Sequence, residues 1–272
     1  MFEFKKAERK NAKLRLGISG VSGAGKTYSS LLVAYGITKD WGQIALIDTE
    51  RGSGELYSDL GEYCVGQLDA PYTPQKYIDA IKSAENAGFE VIIIDSLSHA
   101  WTGEGGMLDI QDAVAKASRS GNSYTAWREV TPLHNKLIDT ILQSKCHIII
   151  TTRAKTEYLQ TEENGKKAIK KVGLAPIFRD GLEYEMTTFF EVGLDHTASV
   201  SKDRTKLFDG TYFKPSIETG EKLVQWLNGG AKLLCSVCGK EIDNATYYGS
   251  MKKYGKALCS AECLEKTKKE GK

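Results

Sequence analysis

The chain has 272 residues, of which 41% are hydrophobic and 26% are charged, with 37 Lys and Arg against 35 Asp and Glu. This composition is typical of a folded globular protein and excludes a disordered, collagen-like or disulfide-stapled chain. The longest apolar runs are far shorter than the roughly 20 residues that a membrane-spanning helix needs. No apolar signal segment precedes the first predicted strand, so we expect a cytoplasmic protein that makes no membrane contact.

β-strands and α-helices alternate along the first part of the chain. Four strands are predicted, at residues 14–19, 43–48, 90–95 and 146–152. Helices are predicted between them, at residues 27–36, from Thr73-Pro74 onward, at 106–118 and at 124–143. This alternation predicts an α/β fold with a mostly parallel sheet flanked by helices.

The pattern changes after Arg153. Residues 156–171 contain four lysines and three glutamates around Asn164-Gly165, and we interpret this segment as a mobile loop. Two antiparallel strands at 183–192 and 197–202, and a last helix at 218–227 capped by Thr219, are predicted to complete a core of residues 1–230. A glycine pair then separates this core from a small unit, residues 231–272, which carries nine lysines and five acidic residues.

Residues 20–27 have the pattern G-x-x-x-x-G-K-[ST] and lie between a predicted strand and a predicted helix. That context distinguishes a phosphate-binding loop from a glycine-rich turn that matches by chance. Backbone N–H groups bind the phosphates of ATP, Lys26 adds a charge at the β- and γ-phosphates, and the Thr27 hydroxyl binds Mg²⁺. The predicted nucleotide contacts are Gly20, Val21, Ser22, Gly23, Ala24, Gly25, Lys26, Thr27 and Tyr28.

Two acidic residues follow apolar strands. Asp95 ends the strand at 90–95, where a Walker-B aspartate holds Mg²⁺; the alternative is an aspartate that caps the following turn. Glu50 lies just past the second strand, where a carboxylate can orient and deprotonate the attacking water. The alternative for Glu50 is a solvated glutamate near a ribose or in a loop. With the phosphate loop, these residues predict an ATPase.

The stretch Ile47-Asp48-Thr49-Glu50 resembles the RecA-core ATPase family, in which a catalytic glutamate follows the second strand. Residues 200–204 are similar to a late strand of that family, whose basic pair reaches the γ-phosphate of a neighbouring subunit. By this resemblance Lys202 and Arg204 act in trans, and the chain self-associates as a ring or a short filament. The alternative is a solvated basic strand end.

Three later stretches, residues 152–158, 171–176 and 179–185, are similar to compact phage-encoded ATPases associated with single-strand annealing and recombination. This resemblance implies the cytoplasm of a bacterial host. Thr152 stands where the RecA family couples the γ-phosphate to its second DNA loop, usually through an amide side chain. Thr152 and Arg153 are therefore candidate sensors.

The resemblance also implies a site for single-stranded DNA, because the loops after the third and fourth strands of the RecA family hold the DNA. Here these loops correspond to residues 97–123 and 156–172. Basic side chains contact phosphates and aromatic ones stack on bases, although charge runs in loops are usually just solvated. The candidate DNA contacts are Trp101, Arg119, Tyr158, Lys166, Lys167, Lys170 and Lys171.

Four of the six cysteines lie in the tail with the spacing C-x2-C-x20-C-x3-C. Two close pairs are what a tetrahedral Zn²⁺ site needs, and four thiolates leave no open catalytic position. The last spacing is similar to treble-clef-like fingers, in which the second pair begins a helix, here at 261–269. The predicted ligands of a structural zinc are Cys235, Cys238, Cys259 and Cys263. Reduced cysteines or two disulfides are the alternatives, and the lysines and tyrosines of this module suit either DNA or a protein partner.

These patterns predict an ATPase that couples turnover to single-stranded DNA in phage-type recombination or annealing. The alternative is a nucleotide-dependent switch that recruits a replication or recombination partner, such as a single-strand-binding protein, without touching DNA. A small-molecule kinase is disfavoured because no arginine-rich lid follows the fourth strand. The scattered histidines form no evident metal set, and His147, within an apolar strand, is interpreted as a core residue.

Overall fold

A computed structural model describes residues 12–118, 123–163, 166–229, 234–242 and 244–270. The strands are β1 (Arg15–Gly20), β2 (Ile44–Asp48), β3 (Cys64–Gln67), β4 (Val91–Asp95), β5 (His147–Glu163), β6 (Lys166–Pro176), β7 (Thr188–Val192) and β8 (Ala198–Asp203). The helices are α1 (Lys26–Thr38), α2 (Pro74–Ala87), α3 (Ser98–Thr102), α4 (Met107–Ala117), α5 (Ser123–Gln143), α6 (Leu182–Glu185), α7 (Ile217–Leu227), α8 (Asn244–Tyr254) and α9 (Ala261–Glu270).

The main sheet has the strand order β3-β2-β4-β5-β1-β7-β8. Neighbouring strands are parallel except for the β7–β8 pair, which is antiparallel. The central strands are fully buried, as expected for a parallel sheet that is covered on both faces. The prediction of an α/β fold with a mostly parallel sheet flanked by helices is confirmed.

Helices cover the two faces of the sheet and form two separate apolar cores. On one face α1 and α7 contribute side chains such as Leu31 and Leu223. On the other face α2 and α5 contribute Tyr77 and Ile141 among others. Within the described ranges, no helix has the length and apolar character that crossing a membrane requires.

Two glycines allow α1 and α7 to cross with their backbones in contact. A Cβ atom at Gly36 would lie 2.1 Å from the carbonyl oxygen of Ile217, and one at Gly220 would lie 2.2 Å from that of Val33. Any larger residue would push the helices apart. Because α1 begins at Lys26, this packing fixes the helix that follows the phosphate loop.

The prediction of a mobile loop at residues 156–171 is wrong. β5 continues to Glu163 and pairs antiparallel with β6 in a long hairpin, in which residue 158 lies opposite 171 and residue 162 opposite 167. The two signals that favour this hairpin are local: Asn-Gly is the preferred sequence for a two-residue hairpin turn, and opposite charges face each other in the register.

Several element boundaries also differ from prediction. The N-cap of α7 is Ser216, and Thr219 is its partner in a capping box, since the two residues exchange side-chain to backbone hydrogen bonds. The strand expected from residue 183 begins only at Thr188 and follows the short helix α6. β3 and α8 were not predicted. The domain boundary expected at residues 230/231 lies outside the described residues and stays a prediction.

His147 is a satisfied core residue, as its apolar strand predicted. Its Nδ1 accepts a hydrogen bond of 3.0 Å from the backbone N–H of Leu14. Burial lowers the pKa of His147 to about 3, so the imidazole is neutral. It links β5 to the residue that precedes β1.

Candidate active site and adjoining aromatic groove

The chemically important residues meet because parallel strands end at the same edge of the sheet. Asp48 at the end of β2 lies opposite Asp95 at the end of β4, and Gly20 at the end of β1 lies opposite Arg153 in β5. The phosphate loop follows β1, and Glu50 follows β2. Thus the loop and the two predicted acidic residues share one edge, the usual ligand site of an open α/β sheet.

The loop between β1 and α1 has the form of an anion-binding turn. Gly25, the N-cap of α1, has φ 84°, a left-handed conformation that favours glycine. The N-terminus of α1 carries no acidic residue in its first turn, so its free N–H groups and partial positive charge favour a phosphate. Lys26 Nζ donates to the carbonyl oxygen of Val21 at 3.0 Å, and burial lowers the pKa of Lys26.

His196 supports this loop from the β7–β8 turn, a contact that the sequence did not indicate. The distance from His196 Nδ1 to the carbonyl oxygen of Ala24 is 3.0 Å, so Nδ1 carries the proton and donates. A Cβ atom at Gly25 would lie only 3.0 Å from the same nitrogen. His196 therefore packs directly against the loop and limits its freedom.

Thr27 and Asp95, the predicted Mg²⁺ ligands, are in contact. Thr27 Oγ1 donates to Asp95 Oδ2 at 2.5 Å, and Thr151 Oγ1 donates to Asp95 Oδ1 at 2.5 Å. Burial raises the pKa of Asp95, while these two hydrogen bonds act in the opposite direction. A hydroxyl and a carboxylate are hard oxygen donors that fit Mg²⁺, and a cation there would offset the cost of burying the carboxylate.

Asp48 also ends a strand, but its carboxylate accepts hydrogen bonds from backbone N–H groups. Its Oδ1 accepts from the N–H of Glu50 at 2.5 Å, and its Oδ2 accepts from the N–H of Gly54 at 3.0 Å. Both oxygens therefore hold the loop after β2 in place. Asp48 therefore positions Glu50.

Glu50 is held by an arginine and a serine. Its Oε1 accepts from Arg153 Nε at 2.9 Å and from Ser96 Oγ at 3.1 Å, and its Oε2 pairs with Arg153 NH2. Burial alone would raise the pKa of Glu50, but the hydrogen bonds and charge of Arg153 lower it below its ordinary value. The predicted general base is thus ionised and paired with a candidate sensor residue.

A second hydrogen-bonded group lies behind Glu50. The Thr49 hydroxyl accepts from the Ser96 N–H at 2.8 Å and lies 2.7 Å from His99 Nδ1. His99 stacks on Tyr72 with ring centroids 4.9 Å apart, and burial lowers the pKa of His99. These contacts tie the ends of β2 and β4 together, and sequence reasoning did not find them.

Tyr28, the last of the predicted nucleotide contacts, forms an aromatic pair beside the loop. Its ring lies edge-to-face with that of Tyr57 at a centroid distance of 5.6 Å. Tyr28 remains 42% exposed. The pair therefore presents an accessible aromatic surface next to the phosphate loop.

A groove of about 880 Å³ lies beside this edge and is lined by aromatic and cationic side chains. Trp101 stacks on Trp127 with centroids 5.6 Å apart, and the Arg179 guanidinium lies 5.6 Å from the centre of the Trp127 ring. Tyr124 is 84% exposed. The lining consists of Trp101, Tyr124, Trp127, Phe178, Arg128, Lys155, Arg179, Thr131, Pro132 and one carboxylate, Asp180.

Among the side chains that the structure describes, one predicted DNA contact lines the groove, Trp101. Arg119 lies outside the described residues. The other predicted contacts lie on the β5–β6 hairpin, in residues 156–173, where the backbone is described but the side chains are not: Tyr158, Lys166, Lys167, Lys170 and Lys171. Residues 97–123, expected to be a loop, consist largely of α3 and α4.

Lys202 and Arg204 lie away from the phosphate loop of their own chain. Lys202 pairs with Phe189 near the start of β7, whereas the loop side of the sheet corresponds to the end of that strand. With a strand rise of about 3.3 Å per residue, the separation along β7 is on the order of 10 Å. Both side chains donate to the carbonyl oxygen of Tyr184.

The four tail cysteines come together as their spacing predicted. Their Sγ atoms all lie within 4.8 Å of one another, with 3.4 Å between Cys238 and Cys259 and 3.5 Å between Cys259 and Cys263. A tetrahedral Zn²⁺ with bonds of 2.3 Å would place sulfur atoms about 3.8 Å apart. None of the four forms a disulfide. The donor set therefore fits Zn²⁺ and argues against the disulfide alternative.

The fold and the site together define a P-loop nucleotide-binding protein. A family model described as an AAA domain matches residues 12–223, which is more than half of the chain. The chain therefore belongs to this family of P-loop ATPases. Comparison with curated proteins gives no match.

Replacing His196 should loosen the phosphate loop. We expect His196→Ala to weaken the binding of a non-hydrolysable ATP analogue about fivefold, because one hydrogen bond contributes about 1 kcal/mol. Isothermal titration calorimetry measures this change. His196→Asn is the matched control, since Asn keeps an N–H donor and tolerates the left-handed backbone found here, φ 64°. Equal affinity for both variants and the native chain would contradict a supporting role.

Proposed function

We propose that this protein is an ATPase whose turnover is coupled to single-stranded DNA, of the type that acts in phage recombination or annealing. The observation that carries the proposal is the position of the aromatic, cationic groove beside the candidate nucleotide site. Lys155 of the groove lies two residues from Arg153, which contacts the candidate base Glu50. Such proximity lets one ligand influence the other site.

The nucleotide roles follow from the contacts at the sheet edge. The phosphate loop and Lys26 hold the triphosphate, and Thr27 and Asp95 hold Mg²⁺, which neutralises charge on the β- and γ-phosphates when bound. Glu50 accepts a proton from the attacking water. The Tyr28–Tyr57 pair offers its exposed face to the base of the nucleotide.

A single strand suits the groove for two reasons. Its three cationic side chains outnumber its one carboxylate, so the net charge favours a phosphate backbone. Its exposed tyrosine and stacked tryptophans offer faces for unpaired bases, a contact that contributes about 1–3 kcal/mol per base. Bases in a duplex are already stacked and would not fill such a surface.

Self-association is the further part of this proposal. Lys202 and Arg204 lie near the start of β7, away from the end of the strand that borders their own phosphate loop, so we place their role in hydrolysis at the site of a second copy of the chain. In that arrangement they would neutralise charge on the transferring phosphoryl group of the neighbour. A ring and a short filament both meet this requirement.

The tail is proposed to be a structural zinc module. Its apolar core is small, with Ile242 and Leu258 as the main buried aliphatic side chains. Units of this size rarely fold on burial alone, and a metal held by four thiolates supplies the missing stability. Backbone hydrogen bonds outweigh burial and lower the pKa of Cys235 to about 6, whereas hydrogen bonds with neighbouring thiols raise the pKa of Cys259 and of Cys263.

A nucleotide-dependent switch that recruits a replication partner is the second candidate. The observation in its favour is the groove itself, since exposed aromatic side chains with arginine also characterise protein interfaces. The two candidates differ in what stimulates hydrolysis.

ATP hydrolysis should rise severalfold when oligo-dT is added, and the effect should weaken with salt, because counterion release drives binding to single strands. Steady-state turnover at low and moderate salt measures this. Lys26→Ala should abolish turnover with and without DNA. Arg128→Gln combined with Lys155→Gln should lower the stimulation and reduce the slope of log affinity against log salt by about 1.4, since each phosphate contact contributes about 0.7.

The matched control removes two exposed helix lysines outside the groove, Lys82→Gln with Lys222→Gln, and should leave the stimulation unchanged. Equal turnover with and without DNA, together with salt-insensitive binding, would contradict the DNA proposal and favour the switch.

Purified full-length protein should contain one zinc ion per chain by elemental mass spectrometry. Cys238→Ser should lower this content and reduce the stability of the tail, because three thiolates do not complete the tetrahedral site. Cys64→Ser is the control, since Cys64 is exposed on β3 and outside the cluster. A metal-free native protein with a stable tail would exclude the zinc module.

A further inference from the structure

Arg153 occupies a junction between the nucleotide edge and the groove. It is the last residue of β5 that pairs with β1, opposite Gly20, and the next residue, Ala154, is the first that pairs with β6. Its backbone N–H donates to Ser98 Oγ at 2.9 Å, and its carbonyl oxygen accepts from the N–H of Ile177 at 2.6 Å. The backbone of Arg153 is therefore hydrogen-bonded to two other segments at the point where the strand leaves the main sheet.

Two segments that meet at this junction contribute side chains to the groove. Lys155 lies two residues after Arg153, and Phe178 follows Ile177, whose N–H is bonded to Arg153. A ligand that moves Lys155 or Phe178 therefore acts on the backbone that carries the Arg153 side chain.

The Arg153 side chain binds both oxygens of Glu50. The guanidinium uses Nε and NH2, the two-point geometry that arginine forms with carboxylates. A general base must accept a proton from water, and a carboxylate paired in this way is a weaker base. Removal of Arg153 from Glu50 would free the oxygens and raise their basicity.

We propose that Arg153 restrains Glu50 in the resting enzyme and that occupancy of the aromatic groove releases it. This inference rests on the proposed ATPase function and adds its regulation. Arg153 acts on the reaction through Glu50, so it is a positioning residue. On this proposal hydrolysis stays slow until the groove is filled.

Arg153→Gln tests the restraint through steady-state ATP hydrolysis of the full chain, with and without oligo-dT. Turnover without DNA should rise severalfold toward the stimulated rate of the native enzyme, and the stimulation ratio should fall toward one. Arg153→Lys keeps the charge but not the two-point contact, so its turnover without DNA should be intermediate. Adding Lys26→Ala should abolish the gain and assign it to this site.

The pH profile supplies a readout that a purely structural role would not move. In the native chain Arg153 lowers the pKa of Glu50, so the carboxylate stays ionised to lower pH. In Arg153→Gln the pKa rises, and the fall of kcat in acid should begin at higher pH. Thermal melting checks that each variant is folded.

Arg51→Gln is the matched control, because it removes the same charge from an exposed residue next to Glu50. Its turnover without DNA and its acid limb should equal those of the native chain. The restraint would be overturned if Arg153→Gln has the same or lower turnover than the native chain without DNA and its acid limb does not move. This holds even if DNA stimulates the native enzyme. A different result is that Arg153→Gln raises turnover and shifts the acid limb of the pH profile, while DNA has no effect on the native chain. This result would support the restraint of Glu50 by Arg153 and refute DNA as the groove ligand. No hydrolysis by either protein would refute both.

Discussion

The account depends on the register of parallel strands, which brings separate segments to one edge of the sheet. Because β2, β4, β5 and β1 are hydrogen-bonded side by side, their ends cannot shift independently. The register places Asp95 beside the helix that begins at Lys26, and Arg153 beside the start of the phosphate loop. Hydrogen bonds between side chains then refine positions that the backbone has already determined.

This geometry also creates an electrostatic problem that the side chains resolve. Asp95 and Glu50 are carboxylates near each other and partly or fully removed from water, which disfavours their charged forms. Asp95 is stabilised by the hydroxyls of Thr27 and Thr151, and Glu50 by Arg153 and Ser96. The hydroxyls around Asp95 suit a bound cation. Arg153 and Ser96 instead keep the Glu50 carboxylate ionised and hydrogen-bonded. The different partners therefore suit the two acids to the different roles that we propose for them.

The features that could be predicted are those that depend on the spacing of residues close together in the sequence. The phosphate loop has a fixed spacing, and Asp95 and Glu50 follow apolar strands, so the topology of a parallel sheet was enough to group them. The contacts of Arg153 with Glu50 and of His196 with Ala24 join residues 103 and 172 positions apart, and no spacing encodes them. The groove was missed for the same reason, since α3, α5 and the strand after the junction contribute to it. The hairpin was missed although its turn signal was present.

Whether Glu50 activates water is the central claim, and the turnover of Glu50→Gln tests it most directly. Gln keeps the size and a hydrogen-bonding oxygen but cannot accept the proton, so ATP binding should persist while kcat falls by at least about 100-fold. The comparison must be made with saturating oligo-dT as well as without it, so that release of Arg153 is included. Turnover by Glu50→Gln equal to that of the native chain in both conditions would contradict the assignment.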